Sequence, residues 1–240
     1  MTASLACINL KHRELVGELM DDPMLPERDH ALALRGLQRI NAVSRTATTF
    51  FHQLLQLMGD DPSRPRRVLD VACGDGDTTV LLSKLARKHG LPWQVSGCDL
   101  SERAVSYAKT KANRQSIDTT FFQADALRDL DLQGYDAVVN SLFLHHLNDE
   151  QVAMFLRRLR DARHVVISDL IRSKRAYAVT WLGVRLLSRS HVVHIDGPLS
   201  VRAALTKGEM REAVNQAGLV GATVQSAWPM RQLVVWSRPS

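Results

Sequence analysis

Val68-Leu69-Asp70-Val71-Ala72-Cys73-Gly74-Asp75-Gly76-Asp77 runs without a break into Thr78-Thr79-Val80-Leu81-Leu82-Ser83-Lys84-Leu85-Ala86-Arg87-Lys88. Val68, Leu69 and Val71 form a short apolar run suited to a buried strand. Cys73 to Gly76 supply a tight turn, and Val80, Leu81, Leu82, Leu85 and Ala86 recur at helical spacing. Strand, glycine turn and helix in this order form the opening of a nucleotide-binding α/β domain.

Three ligand classes suit such an opening, and the charges of the turn separate them. A P-loop ends in Gly-Lys-Ser/Thr so that a lysine meets the phosphates, and this turn has no such ending. A dinucleotide rests its pyrophosphate on the helix N-terminus. Here that position carries Asp75 and Asp77, with Asp70 at the strand end, and carboxylates repel phosphate. The expected ligand therefore presents positive charge and lacks phosphate. S-adenosylmethionine meets both conditions, joining a sulfonium and an α-ammonium to adenosine.

The segment resembles motif I of class I S-adenosylmethionine-dependent methyltransferases, acidic-x-Gly-x-Gly-x-Gly, with Ala72 standing at the first glycine. The resemblance runs from Arg66 to Trp236. It implies a Rossmann-like α/β fold, with a seven-stranded, mostly parallel sheet closed by an antiparallel terminal hairpin. It also implies cofactor contacts at Asp70, Ala72, Cys73, Gly74 and Gly76. No metal ligand set is expected: His191-x-x-His194 with Asp196 lacks a third strong ligand nearby.

The order of elements agrees with that fold. A second strand over 93–98 ends at Asp99, followed by Leu100, and its spacing from Gly76 suits an acid accepting both ribose hydroxyls. Ser101 is placed to cap the next helix. A third strand over 119–123 leads to Ala124-Asp125-Ala126, where the resemblance implies an acceptor for the adenine amino group. An aspartate after a strand also serves as a plain turn residue. A fourth strand over 135–140 leads into Ser141-Leu142-Phe143-Leu144-His145-His146-Leu147. If that strand neighbours the first, Asn140, Leu142 and the two histidines lie at the switch point where open parallel sheets bind ligands.

The remainder reads as a helix after Asn148-Asp149, a strand over 163–169 and an amphipathic helix over 172–189. An irregular stretch over 191–200 follows, then a helix opened by the capping box Thr206-x-x-Glu209, and a hairpin over 219–236. Upstream, a modest apolar stripe predicts a helix over 5–20. A longer helical pattern covers 27–58, its centre rich in Ser44, Thr46, Thr48 and Thr49, which offer the backbone competing hydrogen bonds and predict a bend. The chain thus divides into an N-terminal helical cap, 1–61, and a methyltransferase domain, 62–240, with a helical lid insertion at about 171–205.

Composition bounds the function classes. The chain has 240 residues, 45% hydrophobic and 23% charged, an ordinary globular balance. Cys7, Cys73 and Cys98 are too few and too scattered for a disulfide framework or a zinc site, so a reducing cytoplasm is the expected compartment. No apolar run is long enough to span a bilayer. The net charge of +6 comes mostly from scattered arginines. With aromatics at 5% and not interleaved among them, nucleic acid is not the expected partner. No signal fixes the oligomeric state.

Methyl transfer is an in-line displacement, so a site of this class mainly aligns nucleophile, methyl and sulfur. A hydroxyl acceptor must also lose a proton, and His146 is the favoured base, with His145 the other candidate. Asn41, Tyr177, Trp181 and His194 are candidate substrate contacts. Three cap features, Asp21-Asp22-Pro23-x-Leu25-Pro26, Arg39-Ile40-Asn41 and the stretch 194–202, resemble the ubiquinone and menaquinone biosynthesis methyltransferases, including those beside type III polyketide synthases. That narrower resemblance implies O-methylation of a small lipophilic phenol or quinol. The alternatives are a carboxyl- or C-methyltransferase, an RNA methyltransferase, or a non-catalytic S-adenosylmethionine-binding module.

Overall fold

The computed structural model describes residues 9–22 and 24–239. Seven strands form one sheet: β1 (Arg66–Val71), β2 (Trp93–Asp99), β3 (Thr120–Gln123), β4 (Ala137–Ser141), β5 (His164–Leu170), β6 (Thr223–Ala227) and β7 (Arg231–Ser237). Their spatial order is β3-β2-β1-β4-β5-β7-β6. The first five run parallel, while β7 lies antiparallel to β5 and β6. The sheet is the one expected from the sequence, and its switch point falls between β1 and β4, with Val71 level with Asn140.

Both faces of the central strands are buried, which is why they read as continuous apolar runs rather than alternating ones. Successive residues still point to opposite sides. Val68, Ala137, Val139 and Val166 pack with Phe50, Phe51 and Leu54 of α2 (Thr46–Met58) and Leu82 of α3 (Asp77–Lys88). Leu69, Val138, Val165 and Ile167 pack on the other face with Phe155 and Leu156 of α5 (Asp149–Arg158) and Met210 of α8 (Lys207–Gln216). Beside β3, α4 (Glu102–Arg114) buries Val105, Ala108 and Ala112 around Phe121.

A further layer forms from α1 (Glu27–Ser44), α6 (Lys174–Leu187) and α7 (His191–Ala203), with Ala33, Val184, Val192 and Val193 at its centre. The expected bend in 27–58 is a full break: Arg45 takes φ +54° between α1 and α2. The Ser44 and Thr46 hydroxyls lie 3.0 Å apart there, and the buried Arg231 guanidinium donates to Thr46 Oγ1 at 2.6 Å.

Two expectations fail. Residues 191–200 are not irregular but most of α7, with Pro198 inside the helix. The cost of an interior proline is offset by tertiary packing. Val192, Val193, Pro198 and Val201 are all buried, and Gly197 lets α6 approach so closely that a Cβ there would lie 2.7 Å from Val184 Cγ1. The N-terminal helix is also absent from the described part of 5–20, residues 5–8 lying outside it. Residues 9–18 carry no helix and only Leu19–Asp21 makes a 3-10 turn. Their backbone is satisfied elsewhere: Asp196 carboxylate oxygens accept the Leu19 and Met20 N–H groups at 2.9 and 3.0 Å, and Glu14 N–H bonds Arg202 O at 3.2 Å.

Packing under the glycine turn is tight. A Cβ on Gly97 of β2 would lie 2.8 Å from the Phe121 ring and 2.9 Å from Cys73 Sγ. Gly97→Ala is therefore expected to destabilise by about 1–3 kcal/mol, the usual range for overpacking. Urea unfolding with an unchanged midpoint would contradict this packing.

Candidate active site

The turn after β1 is shaped by three residues of positive φ: Ala72 at +53°, Gly74 at +55° and Gly76 at +77°. Glycine meets this demand without strain, and Ala72 meets it with a Cβ. Its place in the left-handed region explains why the family pattern has glycine there. Gly76 is pinned by space as well, since a Cβ would lie 2.8 Å from both Ala108 Cβ and the Phe121 ring.

Asp99 fastens this turn to the end of β2. Its Oδ2 accepts the Gly74 N–H at 2.8 Å and its Oδ1 the Ser101 N–H at 2.9 Å. An ionised carboxylate has about four acceptor positions, so each oxygen retains one toward solvent. Ser101 caps α4 as expected, accepting from Ala104 N at 3.2 Å. Leu100 is largely exposed beside it, its carbonyl accepting from Gln123 Nε2 at 2.9 Å.

At the switch point the site is rich in unfilled acceptors. Asp70 Oδ2 accepts the Thr79 hydroxyl at 2.6 Å, while its Oδ1 is buried without a hydrogen-bond partner. Burial pushes the Asp70 carboxyl up to about 7, a rise the Thr79 bond opposes and nearby Asp99 adds to. Asn140 Nδ2 donates to Val71 O at 2.8 Å, and its Oδ1 is likewise buried and unpartnered. Two orphaned acceptors at the carboxyl ends of adjacent strands suit a ligand that brings donors and positive charge. S-adenosylmethionine fits that donor-poor set.

The charges of the turn are more nearly compensated than the sequence suggests. Asp75 and Asp77 do not face a ligand as bare charges, because Lys111 of α4 bridges them at 2.6 and 2.5 Å. Gln38 and Asn41 of α1 also reach this pair, Gln38 Nε2 at 3.5 Å from Asp75 and Asn41 bonded to Asp77. Burial and Asp75 still raise the Asp77 pKa against the opposing pull of Lys111. Repulsion of phosphate thus rests more on Asp70 and Asp99. Asn41 lines a cavity of about 190 Å³ with Asp77, Leu81 and Lys111.

The remaining predicted residues divide. Asp125 accepts Leu127 N–H at 2.8 Å, the self-bond of a turn aspartate, with its Oδ2 3.7 Å from Arg128. Ala126 is buried next to it. Leu142 takes φ +56° and bonds Ser168 O through its N–H at 3.0 Å, closing the corner after β4. His194 Nε2 lies 2.8 Å from the Ser188 carbonyl and so ties the α6–α7 corner. Tyr177 is half-buried, and Trp181 carries the Arg185 guanidinium 3.9 Å above its ring. Burial pushes up both the Cys73 and the Cys98 thiol, Cys98 to about 12.

The two histidines occupy unequal places. His145 is buried, its Nδ1 2.7 Å from Asp169 Oδ1 and its Nε2 3.8 Å from Glu18. Burial works against its imidazolium, but Asp169, the bond to it and Glu18 outweigh that and raise the pKa above 6.5. Burial likewise opposes the Asp169 carboxylate, yet His145 and the Leu170 and Leu144 N–H groups hold it below 3.8. His146 is exposed next to it, the two ring centroids 4.3 Å apart. Glu18, His145 and His146 each bring a ligand atom within 4.8 Å of the others, the one such group among the described residues. Within it Glu18 already bonds Ser200 and His145 bonds Asp169.

Comparison with known proteins bears on the same segment. The methyltransferase domain model matches residues 68–164, which hold Asp70, the glycine turn, Asp99, Asp125, Asn140 and both histidines. Residues 68–164 are a methyltransferase domain, and the comparisons support a class I S-adenosylmethionine-dependent methyltransferase. An uncharacterized methyltransferase of Mycobacterium tuberculosis is 29% identical over 182 residues, covering 72% of this chain and 87% of that protein. A ubiquinone biosynthesis O-methyltransferase of Coxiella burnetii is 26% identical over 150 residues, 61% of this chain and 59% of that one. In structure, this methyltransferase resembles SibL in its apo form, with TM-score 0.61, 20% identity, and coverage of 96% of this chain and 65% of SibL. It resembles the plantazolicin methyltransferase BpumL with SAH, with TM-score 0.63, 17% identity, and coverage of 91% and 92%.

Lys111, Gln38, Glu18 and Asp169 were not singled out from sequence. Asp169, an acid at the carboxyl end of a strand beside the switch point, carried a usable signal. Lys111 and Gln38 meet the site only through helix packing, and Glu18 through the non-helical segment held along α7.

Two outcomes follow from the charges. Asp70, its pKa raised, favours the folded state fully below 3.8 and loses that contribution as pH rises through about 7. Asp70→Asn should therefore gain thermal stability relative to the native ligand-free protein between pH 5 and 8 (about those values); a constant difference would contradict a buried ionising carboxyl. The His145–Asp169 contribution is lost as pH rises through the raised His145 pKa and as it falls through the depressed Asp169 pKa. Asp169→Ala should cost about 3–5 kcal/mol at neutral pH, the range for breaking a buried pair, and urea midpoints equal to native would refute that pairing.

Proposed function

We propose that this methyltransferase acts on a hydroxyl of a small, lipophilic phenolic or quinol-like acceptor. The observation that carries the reading is the unequal pair of histidines at the end of β4. His145 is buried, and against that burial Asp169 and Glu18 raise its pKa and hold its ring in place away from solvent. His146 is exposed on the same turn and is the histidine we assign to the acceptor. His145 is accordingly a positioning residue and His146 the base.

Bound S-adenosylmethionine supplies a methyl group already activated by its sulfonium. The chain's part is alignment and proton removal. A phenol titrates near 10, so at neutral pH its proton must leave as the oxygen becomes a nucleophile, and a placed histidine contributes about 10²- to 10⁴-fold. Asp99 would accept the ribose hydroxyls, Asp125 the adenine amino group, and the orphaned oxygens of Asp70 and Asn140 the α-ammonium. Ala72, Cys73, Gly74 and Gly76 would line the methionine end, with Leu100, Ala126 and Leu142 supplying apolar walls. We assign residues 1–61 as a cap and about 171–205 as a lid over the 62–240 body, with Asn41, Tyr177, Trp181 and His194 on the substrate side. The similarity to a protein named for ubiquinone O-methylation supports this acceptor class.

The test is a labelled methyl donor offered with catechols and quinols, carboxylic acids and tRNA. Label is expected on phenolic oxygen. His146→Ala should lower turnover about 10²- to 10⁴-fold with unchanged cofactor affinity, and part of the loss should return at high pH, where the phenol ionises unaided. Unchanged turnover, or label on carboxyl or carbon, would reject the reading.

A further inference from the structure

The face of α6 turned away from the protein has no use in the site. Ala176 and Val184 bury one side of this helix against α7, where Gly197 admits Val184 and Thr180. On the opposite side Val179, Leu182 and Leu186 are 43%, 53% and 74% exposed. Their three- and four-residue spacing makes one apolar stripe along the helix. Exposed cations stand at both ends: Lys174 and Arg175 at the start, Arg185 and Arg189 at the finish. Arg39 of α1 adds another, its Nε donating to the Leu187 carbonyl at 2.5 Å. From 170 to 195 the chain contains no Asp or Glu.

We propose that α6 docks this face on the surface of a bilayer containing anionic phospholipid. A lying helix with an apolar stripe and flanking Lys and Arg is the arrangement that inserts at the headgroup boundary. The acid-free cationic rim selects the lipid, because anionic headgroups attract each such cation. A second copy of the chain is the poorer occupant. A two-fold contact through this face would set the same cations against each other without a carboxylate to answer them. Among the described residues no helix is long and apolar enough to cross a membrane, so the contact is one of surface only. The helix is 14 residues, about 21 Å at the α-helical rise, and lies along the surface as a single bar.

This inference stands on α6 alone and not on the identity of the acceptor, which is read from transferred label. The experiment is co-sedimentation of the full chain with vesicles of phosphatidylcholine alone and of equal parts phosphatidylcholine and phosphatidylglycerol. Binding to the anionic vesicles is expected to be at least about tenfold stronger and to fall as salt rises. Leu182→Glu with Leu186→Glu should abolish it. Lys174→Ala with Arg185→Ala should weaken it on anionic vesicles only. Unchanged S-adenosylhomocysteine binding by calorimetry verifies that each variant is folded. Equal binding to both vesicle types, binding that survives the glutamates, or no binding at all overturns the proposal. A dimer in sedimentation equilibrium that the glutamates dissolve, with no vesicle binding, overturns it in favour of a second copy.

Discussion

One carboxylate holds the site in shape. Asp99 accepts the N–H of Gly74 from the turn after β1 and the N–H of Ser101 from the start of α4. Charge-assisted bonds to backbone N–H groups are the stronger kind, and these two join the turn after β1 to the β2–α4 corner at the carboxyl end of the sheet. The left-handed turn, the close approach of Phe121 and Cys73 to Gly97, and the bridge from Lys111 to Asp75 and Asp77 all lie around that fastening. Loosening it would free the turn from β2.

The electrostatic character of the pocket follows from what is left over. Asp70 and Asn140 each keep a buried acceptor without a partner, and the Asp70 carboxyl is driven toward neutrality by burial. Such atoms are costly while they stay unpaired. A cationic ligand offering N–H groups removes the cost, and a phosphate would add to it. These orphaned acceptors lie at the switch point that the strand order creates, and their chemistry suits such a ligand.

Much of this was legible in the sequence because it is local. The β1 turn and α3, the Ser101 and Asn148 caps, the Thr206 capping box and the terminal hairpin are each written in neighbouring residues. What was not legible depends on contacts between distant segments. Pro198 signals a break, but the burial of α7 against α1 and α6 overrides it. Leu15, Val16 and Leu19 suggest a helical stripe, yet Asp196 and Arg202 hold that segment along α7 instead. Lys111 looks like an ordinary residue in the last turn of a helix until α4 is laid beside the glycine turn. The two histidines look alike in sequence and acquire different surroundings only through Asp169 and Glu18.

Preference for a cationic nucleoside over a phosphorylated one requires an acidic, donor-poor site clasped by Asp99. Titration calorimetry of the native chain and of Asp99→Asn against S-adenosylmethionine, NADH and ATP tests this most directly. Binding of the sulfonium ligand alone, weakened by about tenfold or more in Asp99→Asn as expected for a lost charged hydrogen bond, is the predicted result. Firm binding of NADH or ATP with no heat from S-adenosylmethionine, or an affinity indifferent to Asp99→Asn, would contradict it.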